Sequence, residues 1–417
     1  MILLFWGCGK CEMIFPVGFF PAEGFVCQAH PLYVRALTVG KVRPFVLVSI
    51  EMTSLPDEEI SLLRAIAASS AATAPENVWI TVTHSFSVPH IRPKAAAVTR
   101  EERTQIKSLQ TLVRDAVHTA VLQARNNIRE ACAELFSGTS RVSASRDIEL
   151  EDGWWVGCRG NGPSDPTLSV VRIGGEKPVA FLLHLNVQPS VLDGTGAENG
   201  KCVSGDLAGI ACEELEKRYP GAIAVFLIGA AGDQAPVEKA MGLVPDGAGV
   251  WKETDLHSQG IALAERLGLQ LAEEAAAVMR SKPEKTLDEK MLLRDSTLSV
   301  PAKKMNRNLK ELKPSRHCEW EPDGDSVQPV SLLNLGGLAI VGVKPELTWA
   351  TDRAIKRASP YQHTLIATLV NGGAKYMGDR SVYERCMYEA QNSPFAPGAA
   401  EMLADAAVNL LKGTEAS

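Results

Sequence analysis

Over residues 99–136 the chain contains no glycine or proline, and Ile106, Leu109, Leu112, Val113, Val117 and Val121 recur at helical spacing. That stretch predicts one long amphipathic helix, stopped by Gly138, and a helix with one apolar face needs an apolar surface to lie on. Strand-like runs supply it. Residues 32–50 alternate and turn near Gly40-Lys41, and further runs fall at 77–83, 141–150, 168–173, 179–187, 222–228, 287–300, 331–341 and 364–369. Helical patterns separate them at 54–72, 205–219, 254–280 and 399–411, the first opening on Ser54, Pro56 and three acidic residues. The irregular alternation predicts an α/β (or α+β) chain, a layered sandwich of mixed β-sheets flanked by helices.

Composition narrows the class. With 417 residues, 45% of them hydrophobic, and no long Pro/Gly/Ser linker, one large domain over 1–417 is expected, with a polar, mobile insertion at about 302–328. A net charge of −6 without a dense basic cluster excludes nucleic acid as partner. The apolar start, 1–6, is too short for a signal or a membrane span. Nine cysteines sit mostly in apolar runs without disulfide-like spacing, which predicts reduced thiols and a cytoplasmic protein. Cys8 and Cys11 form a CxxC that lacks a second pair to complete a zinc ribbon.

Polar residues at strand ends are the candidates for chemistry. His84 follows the strand at 77–83, Gln188 ends the run at 179–187, and Asp206 precedes a helix, where helix capping explains it as well as ligand contact does. Asp233 lies in the small-residue turn 229–236, and Glu346 follows the apolar run 331–341. Tyr376 and Tyr388 come after Asn371-Gly372. One histidine, one glutamate and one tyrosine from distant strand ends suit a metal-plus-acid/base constellation.

The same segments, in order, resemble the catalytic domain of the neutral/alkaline ceramidases. The match runs from His30-Pro31-Leu32-Tyr33-Val34-Arg35-Ala36-Leu37 through Thr83-His84, Asp165-Pro166, Gln188-Pro189-Ser190, Val203-Ser204-Gly205-Asp206 and Gly229-Ala230-Ala231-Gly232-Asp233. It closes with Ile355-Lys356-Arg357-Ala358-Ser359-Pro360, His363-Thr364, Asn371-Gly372 and Phe395-Ala396-Pro397-Gly398-Ala399. The resemblance implies a zinc-dependent amidase fold without the family's extra C-terminal β-domain. Of the family's two His, Glu and Tyr ligands, it places His84 and Glu346 on matching positions, Gln188 on the second His and Phe395 on the Tyr. Phe86 and Ala235 also depart from the pattern. Arg159, Asp165, Asp206, Asp233 and Tyr376 match it, with Tyr376, Arg159 and Asp233 implied as catalytic groups and Asp165, Asp206, Gln188 and Phe86 as substrate contacts. A weakly held zinc or other divalent ion is implied as cofactor, because an amide oxygen is a poor zinc ligand and Phe is none. His184 lies roughly 13 Å along the strand from Gln188, too far to substitute; His90 is left open, and Cys158 and Cys202 are minor candidates.

Two functions follow as expectations. One is a ceramidase-like hydrolase cleaving an amide or related bond in a small polar or N-acyl substrate. The other is a non-catalytic homologue that keeps the pocket to bind a small molecule or partner.

Overall fold

A computed structural model describes residues 4–93, 99–246, 249–305 and 311–413. Strands β1 (Leu4–Glu12), β2 (Tyr33–Val39), β3 (Phe45–Ile50), β4 (Val78–Val82) and β5 (Arg129–Ala131) form the first sheet, in the order β4-β3-β2-β1-β5. The second contains β6 (Ala133–Thr139), β7 (Thr167–Ile173), β8 (Ala180–Leu185), β9 (Ile223–Ile228) and β10 (Lys285–Thr286), in the order β9-β8-β7-β6-β10. A third contains β11 (Met291–Lys303), β12 (Pro322–Leu335), β13 (Leu338–Val343) and β14 (His363–Ala367), in sequence order. Each sheet is mixed: β3 and β4, β8 and β9, and β13 and β14 pair in parallel, and the other pairs are antiparallel.

Strand alternation explains the layering. In β8, Ala180 and Leu182 enter a core shared by all three sheets with Trp6, Leu47, Trp79, Leu227 and Ile340. Phe181, Leu183 and Leu185 face the opposite way, into a core with the helices. That second core receives α1 (Asp57–Ala71), α2 (Arg100–Asn126), α3 (Asp206–Arg218) and α4 (Gln259–Val278) through Leu63, Val117, Leu207 and Leu271. The outer face of the third sheet packs on α5 (Trp349–Ala358) and, beyond the short α6 (Arg380–Glu384) and α7 (Tyr388–Gln391), on α8 (Ala399–Lys412). Each fully buried Leu or Phe stabilises the layers by about 1.5–3 kcal/mol.

The long helix begins where the sequence indicates, with Thr99 and Glu102 closing a capping box. It ends ten residues short of the expected Phe136, at Asn126, because the following residues pair as β5 and β6. Helix α2 lies directly on β1: a Cβ on Gly7 would come within 1.9 Å of the Ala124 carbonyl oxygen, and one on Gly9 within 2.0 Å of that of Ala120. Cys8 and Cys11, three residues apart on β1, project to opposite faces and cannot share one ion. Much of the expected loop 302–328 is the outer end of the β11–β12 hairpin, and residues 306–310 lie outside the described chain.

The cysteine expectation is corrected. Cys27 is bonded to Cys202 and Cys318 to Cys386, leaving five free cysteines. The pairs are 175 and 68 residues apart, so no sequence spacing reveals them.

Candidate active site

Strand β4 ends at Val82, and two residues later His84 takes a left-handed backbone, φ 64°, that turns its ring inward. Its Nδ1 lies 2.5 Å from the Thr53 carbonyl oxygen, so Nδ1–H donates there and Nε2 is left facing the centre. Phe86 stacks edge-on against the ring at 4.7 Å. Glu346 comes from the two-residue strand Glu346–Leu347, which pairs in parallel with Tyr376–Met377 and sets Glu346 opposite Tyr376. Glu346 Oε2 is 3.0 Å from His84 Nε2, although Nε2 makes no hydrogen bond.

Gln188 follows the end of β8 and reaches both groups. Its Nε2 donates to Glu346 Oε2 at 2.7 Å and to Tyr376 Oη at 3.4 Å. Its Oε1 accepts from Arg146 Nη1 at 2.7 Å. Arg146 is itself held by Glu389 Oε1, which accepts from Nε at 3.0 Å and Nη2 at 2.5 Å, and its guanidinium stacks over Tyr376 and Tyr388 at 5.0 and 5.6 Å. Trp155 meets Tyr388 edge-on, so an aromatic series leads from half-buried Trp155 to buried Tyr376.

The charges follow from burial and neighbours. Burial acts to raise the Glu346 carboxyl, but His84, Arg146 and Gln188 outweigh it and hold it below its ordinary value. Burial, partly opposed by Arg146, pushes the Tyr376 phenol well up, so it stays a donor. Asp233 is pushed up to about 7 by burial, against hydrogen bonds from Gln234 and the Trp349 backbone. Its carbonyl oxygen accepts from Arg146 N, and its carboxylate caps the first residue of α5. Asp147 is raised by burial, then by Glu389 and Asp233.

A cavity of ≈ 540 Å³ is lined by Asp165, Trp349, Asp352, Arg353, Lys356 and Arg357, and its Trp349 is the residue whose backbone N–H bonds Asp233. No family model and no curated protein matches the sequence. Among solved structures, neutral ceramidase from Pseudomonas aeruginosa superposes with a TM-score of 0.75 over 100% of this chain and 76% of that one, at 16% identity. A ceramidase complexed with C2 gives 0.74 over the same shares, at 15% identity. The chain has the neutral ceramidase fold.

On that fold the sequence candidates divide. His84, Glu346, Gln188, Tyr376 and Phe86 converge, with Asp233 one backbone hydrogen bond behind Arg146. Arg159 does not join them: its exposed side chain bonds the Val237 carbonyl and Glu238 on the surface, and the guanidinium at the centre is Arg146. Asp206 is fully buried, accepting from the backbones of Val191, Leu192 and Leu207, a loop-fixing role. Asp165 pairs with Lys356 at the open cavity. Phe395 packs in the apolar core of the third sheet and α8, so the tyrosine beside Glu346 is Tyr376. His184 Nε2 donates to the Ile366 carbonyl inside the inter-sheet core, and His90 pairs with Glu23. Arg146, Glu389 and Asp147 were not singled out in the sequence; the only local hint is a charged pair, Arg146-Asp147, inside a strand-like run.

A zinc of the family type can be tested against these side chains. The His84 Nδ1 bond to a carbonyl is a common support for a metal-bound imidazole, and Nε2 and Glu346 Oε2 face one another. The third position presents an amide nitrogen, which is no ligand, and among the described residues no three His, Cys, Asp or Glu side chains gather as a metal group. As arranged, the donor set does not fit.

Proposed function

We propose that the chain is a hydrolase with the ceramidase fold, cleaving an amide or related C–N bond in a substrate smaller and more polar than an N-acyl sphingoid base. The observation that carries this reading is the convergence of five buried polar side chains, His84, Arg146, Gln188, Glu346 and Tyr376, from separate segments, at an interior point where apolar packing would be more stable. Glu346, ionised at neutral pH and 3.0 Å from His84 Nε2, is the base that takes a proton from water. Tyr376 and Arg146 donate toward the carbonyl oxygen as charge develops on it. Asp233, pushed up to about 7, is the acid available to the departing amine. The cavity at Trp349, lined by carboxylates, a lysine and arginines, favours a polar substrate over a lipid chain, and among the described residues no helix is long and apolar enough to cross a membrane.

The second reading, a homologue that binds without cleaving, is favoured by one observation: Gln188 already satisfies Glu346, Tyr376 and Arg146. Release of free amine from a panel of short N-acyl amino alcohols and N-acyl amino acids separates the two. Turnover in wild type, lost in Glu346→Gln and reduced about 10²–10³-fold in Tyr376→Phe, is the expected result. No turnover, together with a ligand-dependent rise in melting temperature, would replace the hydrolase with the binding homologue.

A further inference from the structure

Whether a divalent ion can sit between His84 and Glu346 is decided by the orientation of one amide. Oxygen is the only ligand atom of a neutral carboxamide, and in Gln188 that oxygen points away from His84 and Glu346, toward Arg146 Nη1 at 2.7 Å. The nitrogen end faces Glu346 Oε2 and Tyr376 Oη. Turning the amide over would set its N–H groups against guanidinium donors and its oxygen against a carboxylate, so both ends oppose the turn. Nor can Arg146 swing aside to permit it. Two of its nitrogens bond Glu389, two tyrosine rings cover it, and it is 4% exposed. A dication placed beside Glu346 would in addition meet the positive charge of Arg146 in a poorly screened interior.

We infer that Arg146 and Gln188 together form an ion-excluding lock. The His84–Glu346 pair is part of a metal centre, and the chain keeps it incomplete by presenting an amide nitrogen where a further donor is needed. The protein therefore folds and stays folded without a stoichiometric divalent cation, and the orientation that Arg146 imposes on the Gln188 amide sets that outcome. The inference stands apart from the hydrolase reading, since it concerns ion content and needs no substrate.

The test is metal content by plasma mass spectrometry after incubation with zinc, manganese or nickel and desalting. Wild type is expected to carry only trace metal. Gln188→His, which places an imidazole beside His84 Nε2, Glu346 Oε2 and Tyr376 Oη, is expected to hold near one equivalent of zinc and to lose it when His84→Ala is added. Gln188→Leu, which removes the amide but brings no ligand, stays metal-free. Removing the buried pair together, Arg146→Met with Glu389→Leu, releases the amide oxygen and tightens zinc binding by about 10–100-fold over wild type. Near one equivalent of any of these ions in wild type, lost in His84→Ala or Glu346→Ala, overturns the lock. A Gln188→His protein with an unchanged circular dichroism spectrum and no metal overturns it as well.

Discussion

Arg146 Nη1 donates to Gln188 Oε1 at 2.7 Å, and the two side chains are 4% and 2% exposed. The contact joins a residue from the loop after Ser143–Ser145 to one at the end of β8, and through Gln188 Nε2 it extends to Glu346 and Tyr376 on the paired short strands. A guanidinium this deep is stable only because Glu389 compensates it, and stacking on Tyr376 and Tyr388 adds to its support.

Breaking that compensation is expected to be expensive. Glu389→Leu leaves Arg146 buried and uncompensated and should cost about 3–5 kcal/mol in urea unfolding. Arg146→Met combined with Glu389→Leu should recover most of the loss, because two apolar side chains of similar volume need no desolvated charge. A double variant as unstable as the single one would mean that the arginine is needed for packing and not only for its charge.

Stability should depend on pH through Asp233. Its carboxyl is raised from 3.8 to about 7 in the folded chain, so between those values the folded state binds the extra proton and stability falls as pH rises. His184 carries the opposite sign: burial lowers it to about 4, the unfolded chain protonates first, and stability falls as pH drops below its ordinary value of 6.5. The difference between wild type and Asp233→Asn isolates the first effect. That difference should decline by about 2–4 kcal/mol from pH 4 to 7 and level off above it; a flat difference would show that Asp233 titrates normally.

Thiol titration of the denatured, unreduced protein should find five reactive cysteines, and nine after reduction. Closing 175 residues, the Cys27–Cys202 bridge should be worth about 2–5 kcal/mol against the Cys27→Ser/Cys202→Ser variant. Nine free thiols before reduction would return the chain to the reduced state expected from its sequence, whereas bridges that persist require an oxidising surrounding.

Gly9→Val should destabilise the chain by about 1–3 kcal/mol or more, because its side chain must displace the α2 backbone at Ala120. Substitution at Gly221, whose Cβ position meets nothing within 4 Å, is the comparison, with only the strain of its φ of 90° to bear. Equal losses at both sites would show that helix and strand can separate cheaply.

The sequence by itself determined the elements and their class. Periodicity, caps and turn residues are local signals, so α2 is legible from Thr99 onward, as are the strands that end at His84 and Gln188. Where two local signals compete they mislead: residues 127–136 carry no glycine or proline, yet they form strands because neighbouring strands accept their backbone hydrogen bonds. The tertiary structure alone decided which polar residues meet. Arg146 and Glu389 are 243 residues apart, Gln188 and Glu346 are 158 apart, and Cys27 and Cys202 are 175 apart. Beyond the adjacent Asp147, the sequence near Arg146 does not show that it, and not Arg159, is the buried one; one is buried and one exposed because a carboxylate and two tyrosine rings from the other end of the chain close over the first. The orientation of Gln188 has the same origin, since an amide turns according to which neighbour donates and which accepts, and the fold supplies both.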